Sequence, residues 1–282
     1  MGLLHRASRR GVLAGLAAAG LALVLTPATS TSADIRPAPA QAPDQAQVRA
    51  QAPAQAAQAA GRPPLAGKVV GIDPGHNGLN YTNPAFLARK VWNGRAWEGC
   101  DTTGTRTSGG YTEARFNWNV AVYLRADLIR MGARVVMTRT GNQGLGPCVD
   151  TRSRILNRAH ASVSIDIHAD YGPLSGRGFT VLEPVANGPN NKVIGSSKRF
   201  GRDVHAMMLR GTPFRVSDYY GRDGYITRTD LAGLNLTTMP KVLIETGNMH
   251  NAADAALLVS PKVQRAVAAA LAAAIARFLA RH

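Results

Sequence analysis

Apolar residues along this chain gather into short continuous runs separated by longer runs of helical period. Residues 68–73, Lys68-Val69-Val70-Gly71-Ile72-Asp73, are rich in β-formers and predict a first strand. Thr112 is then a suitable N-cap. Phe116, Val120, Tyr123, Leu124, Leu128 and Met131 recur at helical spacing, and Gly132 ends the run. Further strands are predicted over 134–138, 161–168, 179–183 and 241–245, and helices over 151–160 and 192–210. Ser260-Pro261 opens a last helix, with proline at its first position and Val267, Leu271, Ile275, Phe278 and Leu279 as its buried stripe. Strands alternating with helices predict a single α/β domain, with a twisted, mixed or mostly parallel sheet flanked by helices. Two polar, Gly-rich stretches interrupt the pattern. Residues 77–111, with Trp92 and Trp97, form a segment long enough to be functional or to hold a small hairpin. Residues 215–235 are expected to lie over the site.

The polar residues that close these runs carry the chemistry. The first strand leads through Pro74-Gly75 to His76, and the run 161–168 ends in His168. Glu113 stands at the start of the predicted helix, and the run 241–245 ends in Glu245. In an open α/β sheet, strand ends of this kind converge on one crevice. Taken singly, each residue has an ordinary structural role: a turn histidine, a strand-end histidine, a carboxylate complementing a helix dipole, a buried ion-pair partner. Together they form a set suited to a zinc hydrolase, which needs three protein ligands and an open position. His76, Glu113 and His168 are the expected ligands of one Zn2+ per chain. Glu245 is the expected base, because hydrolysis also needs a carboxylate to move a proton to the leaving amine.

The N-terminal sequence changes the cellular setting. Residues 1–33 read as a signal peptide. Ser8-Arg9-Arg10-Gly11-Val12-Leu13 resembles the twin-arginine export motif, though Val12 and Ala14 depart from it. The apolar stretch from Val12 to Leu25 is short for a bilayer span of about 20 residues, and Thr31-Ser32-Ala33 offers small residues for cleavage. The alternative is an uncleaved anchor. Residues 34–64 form a linker dominated by Ala, Pro and Gln, a composition that cannot bury a core. The catalytic domain is expected over 65–282. The protein is therefore expected to be exported to the periplasm or cell wall or secreted, without stable membrane insertion after cleavage, and monomeric.

The formal net charge is +16; less Arg6, Arg9 and Arg10 of the leader, +13 remains with the rest. A basic surface favours anionic partners. There is no nucleic-acid module and no interleaving of aromatic with basic residues, so no nucleic-acid partner is expected and, given export, a carboxylate- and phosphate-rich wall comes first; the alternative is charge that serves solubility only. The two cysteines, Cys100 and Cys148, lie in loop-like sequence. In an exported protein an even count favours a disulfide, closing a loop of about 48 residues worth roughly 4 kcal/mol. Free thiols or metal ligation are the alternatives.

From Lys68 to Arg281 the chain resembles the zinc-dependent N-acetylmuramoyl-L-alanine amidases of the type-3 class, and most of all secreted actinobacterial, including mycobacterial, members. The resemblance is carried by Ile72-Asp73-Pro74-Gly75-His76, by Glu113 with Val120, Ala121 and Leu124, and by Gly132, Val135, Thr138 and Arg139. It continues through Arg152 and Asn157, Ser164 to Ala169, and Val242-Leu243-Ile244-Glu245 with Gly247, Asn251 and Asp254. It implies zinc on His76, Glu113 and His168, a catalytic Glu245, and a peptidoglycan or muropeptide substrate cut between N-acetylmuramic acid and L-alanine. Three features depart from the family. Asp166 replaces the usual Ser, and either orients the neighbouring histidine or faces solvent. Asn248 replaces the usual Phe of the substrate wall. The loop with Cys100 is not general. No inhibitory helix and no wall-binding repeat is evident. A peptidase cutting inside the stem peptide could use the same four residues; a silent wall-binding protein would not need them.

Overall fold

The computed structural model describes residues 61–281. The predicted signal peptide and all but the last four residues of the predicted linker lie outside them. In chain order the strands are β1 (Val69–Pro74), β2 (Lys90–Trp92), β3 (Trp97–Gly99), β4 (Arg134–Met137), β5 (Val163–Asp170), β6 (Thr180–Pro184), β7 (Tyr225–Arg228) and β8 (Lys241–Asn248). The helices are α1 (Pro84–Leu87), α2 (Glu113–Arg130), α3 (Val149–Arg158), α4 (Ile194–Gly211), α5 (Ala232–Asn235), α6 (Ala252–Leu258) and α7 (Pro261–Leu279). Six strands form one sheet in the order β4-β1-β5-β8-β6-β7, and β2 and β3 form a separate antiparallel hairpin. Within the sheet only the β6–β8 pair is antiparallel. The expected α/β domain with a mostly parallel, mixed sheet is the fold found.

Local chemistry sets the element ends. Thr112 Oγ1 accepts from Arg115 N at the start of α2, a cap worth about 1 kcal/mol. Gly132 (φ +89°) follows the helix in the left-handed conformation that favours glycine. A Cβ there would also come within 2.7 Å of Pro63, so the chain entering the domain packs against this turn.

The period of two along each strand sorts the residues onto the two faces of the sheet. Val163, Ile165, Ile167 and Ala169 of β5, with Val242 and Ile244 of β8, join one core. The same core takes Phe116, Val120, Leu124 and Leu128 from α2, and Val267, Leu271, Ile275, Phe278 and Leu279 from α7. The opposite face therefore receives Ser164, Asp166, His168 and Asp170 from β5, and Lys241, Leu243 and Glu245 from β8. It is covered by shorter pieces, including α3 and α5, and this is the face toward which the candidate residues of β5 and β8 project. Among the described residues, no single helix is long and apolar enough to cross a membrane.

Most predicted boundaries shift by one or two residues, and two strands run on past the residues expected to end them. β5 continues through Asp170 and β8 through Asn248, because their parallel pairing persists beyond the two chemically marked residues, with a register shift between His168 and Asp170. His168 and Glu245 thus lie within their strands, directly opposite one another in register. The stretch 215–235 contains β7 and α5, which its Gly-rich composition hid.

Candidate metal centre

His76 reaches the site from a short turn beyond β1. Its φ is +58°, a conformation uncommon outside glycine, and the turn is held from several sides. Arg152 Nη1 donates to Pro74 O at 2.8 Å, and its Nη2 donates to His76 O at 2.7 Å and to Asn77 Oδ1 at 2.8 Å. Arg139 Nε donates to Pro74 O at 2.9 Å, and Asn117 Nδ2 to Gly75 O at 3.2 Å. Gly75 is required by a close approach, since a Cβ there would lie 2.2 Å from the His168 ring.

The structure brings His76, Glu113 and His168 together, with one ligand atom from each lying within 4.8 Å of the others. Glu113 Oε2 is 3.1 Å from His76 Nε2, and its Oε1 is 2.8 Å from His168 Nδ1. The carboxylate also accepts from Thr105 N at 2.9 Å. Burial alone would raise its pKa, but the two facing imidazoles hold it well below the usual carboxylate range. Burial likewise works against charge on His76, yet Glu113 and Asp101 push its pKa up to about 9. Asp101 lies behind it, with Oδ1 3.1 Å from His76 Nδ1.

Glu245 faces the same space but belongs to no such pair. Its Oε2 is buried and has no hydrogen-bond partner. Burial, reinforced by Glu113 and Asp170 and opposed by His168, pushes its carboxyl up to about 8. All four residues line one cavity of about 480 Å³, shared with Asp166 and Asp170 of β5 and with Arg228, Asp230 and Leu231 of the covering segment. The stretch 215–235 lies over the site as expected.

A buried ion network underlies the turn. Asp73 accepts from Lys241 Nζ at 2.7 Å, Thr138 Oγ1 at 2.6 Å and Arg152 Nη1 at 3.0 Å. Lys241 is 1% exposed, so its charge must be paired. Cys100 and Cys148 form a disulfide, which resolves the alternatives left by the sequence. It ties the segment carrying Asp101 to the start of α3, where Arg152 sits. Asp101 and Lys241 were not singled out from the sequence. The position of Asp101 beside Cys100 was the available signal for the first, and a lysine at the head of an apolar strand for the second. Asn248 lies outside the cavity wall. It is fully buried, accepts from Gly172 N and His250 N, and donates to Pro173 O and Gly176 O. It pins the loop after β5. Asp166 is 7% exposed and does not face bulk solvent.

The donor set fits zinc. Two imidazoles and one carboxylate are the ligand types of a hydrolytic zinc site, and each imidazole presents one nitrogen to the shared carboxylate. Among the described residues, the ion pairs of the three donors are with one another and with Asp101 and Asp166, and a carboxylate oxygen of Glu245, which lines the same cavity, has no hydrogen-bond partner.

Comparison with known proteins identifies the family. The family model of N-acetylmuramoyl-L-alanine amidase (Amidase_3) matches residues 70–277. An N-acetylmuramoyl-L-alanine amidase of Mycobacterium tuberculosis is 41% identical over 218 residues, spanning 77% of this chain and 88% of that protein. The crystal structure of the amidase Ami1 from Mycobacterium smegmatis matches with a TM-score of 0.73 at 39% identity, covering 77% of this chain and 99% of that one. Ami1 from Mycobacterium abscessus matches with a TM-score of 0.71 at 40% identity, covering 76% and 99%. The chain belongs to the N-acetylmuramoyl-L-alanine amidase family.

Proposed function

We propose that this protein hydrolyses the amide joining the lactyl group of N-acetylmuramic acid to L-alanine of peptidoglycan stem peptides. The observation that carries the reading is the convergence of His76, Glu113 and His168 beside a buried, unpaired Glu245, in a chain of this family. The three converging residues would hold one zinc ion. When bound, zinc supplies Lewis-acid chemistry, polarising a carbonyl and acidifying water. Glu245 takes the proton of the attacking water and returns it to the departing L-alanine amine. Burial raises the Glu245 carboxyl above the usual carboxylate range, which favours its taking up a proton. Glu113 and Asp101 fix the His76 ring between them, and the Asp73–Arg152–Lys241 network holds the turn that carries it.

Residues 65–282 form the catalytic domain in this reading, with residues 1–33 as a signal peptide and 34–64 as a linker. Export accords with the disulfide, and the net charge of +13 left without the leader's three arginines favours an anionic wall polymer. The protein is taken to act as a monomer, with no nucleic-acid partner.

The test separates metal binding from proton transfer. Glu245→Gln is expected to bind zinc as the native protein does while losing release of stem peptide by at least about a hundredfold, as removal of a general acid–base does. His76→Ala is expected to lose zinc itself. Undiminished release by Glu245→Gln would remove Glu245 from the mechanism.

A further inference from the structure

Asp166 lies two residues before His168 on β5, so both side chains project from the same face of the sheet. It is 7% exposed. One oxygen, Oδ1, stands 3.4 Å from His168 Nε2 and makes no hydrogen bond. The other, Oδ2, stands 3.5 Å from Lys241 Nζ, which donates to Asp73 Oδ2 at 2.7 Å. Asp73 and Asp166 are register partners on adjacent strands, so the ammonium of Lys241 serves two buried carboxylates that would otherwise repel. A buried carboxylate oxygen without a hydrogen bond is uncommon and calls for an explanation.

Tautomers supply one. A neutral imidazole carries a single N–H, and the nitrogen that binds a metal must be the other one. His76 turns Nε2 toward Glu113 and Nδ1 toward Asp101. His168 is turned the opposite way, with Nδ1 toward Glu113. If Nδ1 serves the metal, the proton sits on Nε2 and points at the unpaired Oδ1 of Asp166. Each imidazole thus has its own carboxylate behind it, on opposite nitrogens.

We propose that Asp166, held by Lys241, is a positioning residue that fixes His168 in its Nε2–H tautomer and so presents Nδ1 to the metal. This rests on the reading of His76, Glu113 and His168 as metal ligands. A serine here would be shorter and uncharged, so the brace depends on the Asp166 carboxylate, which the buried Lys241 ammonium accompanies at 3.5 Å. Carboxylates behind metal-bound histidines raise ligand basicity as well as fixing the ring.

The test measures metal affinity and ligand geometry directly. Zinc affinity is read by competition with a chromogenic chelator, and ligand geometry by the visible absorption of the cobalt(II)-substituted protein. Both are measured on the native protein, Asp166→Ala and Asp166→Asn, with His76→Ala as control. Asp166→Ala is expected to weaken zinc binding about 10–100-fold and to shift the cobalt bands. Asp166→Asn, whose amide oxygen still accepts from Nε2–H, is expected to fall between Asp166→Ala and the native protein. If Asp166 only neutralises Lys241, the variants lose thermal stability while affinity and cobalt bands stay native, and the proposal is overturned. Should Asp166→Ala fail to fold, Asp166→Asn decides alone: native affinity together with native bands overturns the proposal. A native protein that binds no more zinc than His76→Ala would overturn the metal reading itself, a different result from unaltered binding by the Asp166 variants.

Discussion

Removing the Cys100–Cys148 cross-link tests whether the loop insertion supports the metal centre or merely decorates it. The two cysteines are 48 residues apart in sequence, and closing such a loop in the unfolded chain is worth about 4 kcal/mol. For a domain of this size, each kcal/mol moves the melting temperature by about 2–4 °C, so the loss corresponds to roughly 8–16 °C. The effect reaches the site because Cys100 O accepts from Val149 N at the start of α3, while the next residue, Asp101, holds His76 Nδ1. Loosening this junction is expected to weaken zinc binding about tenfold, the lower end for losing a partner of a metal-bound histidine. The assay is calorimetry with chelator competition on three samples: the native protein, the protein refolded with its thiols reduced, and Cys100→Ala/Cys148→Ala. The reduced sample separates the cross-link from the packing of its sulfurs. A melting temperature within about 2 °C of native in both altered samples would refute the stability argument. Unchanged zinc affinity would refute the link to Asp101.

Gly75→Ala is expected to abolish zinc binding without altering any ligand, since its Cβ would lie 2.2 Å from the His168 ring; metal content measured alongside circular dichroism checks this, and a folded, fully loaded variant would contradict it. Asp73 supplies a pH dependence. Burial would raise its carboxyl, but Lys241 and Arg152 hold it far below its ordinary 3.8. Because the folded value is depressed, its stabilising contribution is complete above about pH 4 and is lost as the pH falls below that. Asp73→Asn should therefore cost about 3 kcal/mol or more in urea unfolding at neutral pH and flatten the decline of stability on the acid side; an equal acid decline in both proteins would count against the network.

The sheet face was legible wherever period and burial agree. Val163, Ile165 and Ile167 mark one side of β5, and their intervening neighbours carry the chemistry to the other. His76, His168 and Glu245 became candidates because they stand at or just beyond the ends of apolar runs, and Glu113 because it opens a helix; the structure brings them to one cavity. What the sequence concealed depends on side chains meeting from distant segments. Asp101 beside Cys100 and a lysine at the head of an apolar strand mark positions worth noticing, but not that Asp101 meets His76 or that Lys241 bridges Asp73 and Asp166. Asn248 shows the limit in the other direction. Its place after Glu245 pointed to the cavity wall, yet its amide is consumed by backbone groups of the 172–176 loop. β7 was missed because a four-residue strand in Gly-rich sequence acquires its pairing from β6 rather than from its own propensity.

The most direct test of the central claim is the identity of the bond cut. Purified peptidoglycan and soluble muropeptides are digested with the zinc-loaded protein and the products resolved by mass spectrometry. The account predicts stem peptides with free L-alanine amino termini and disaccharides whose lactyl group now ends in a free carboxylate. Products cleaved within the stem peptide, with L-alanine still attached to N-acetylmuramic acid, would contradict it.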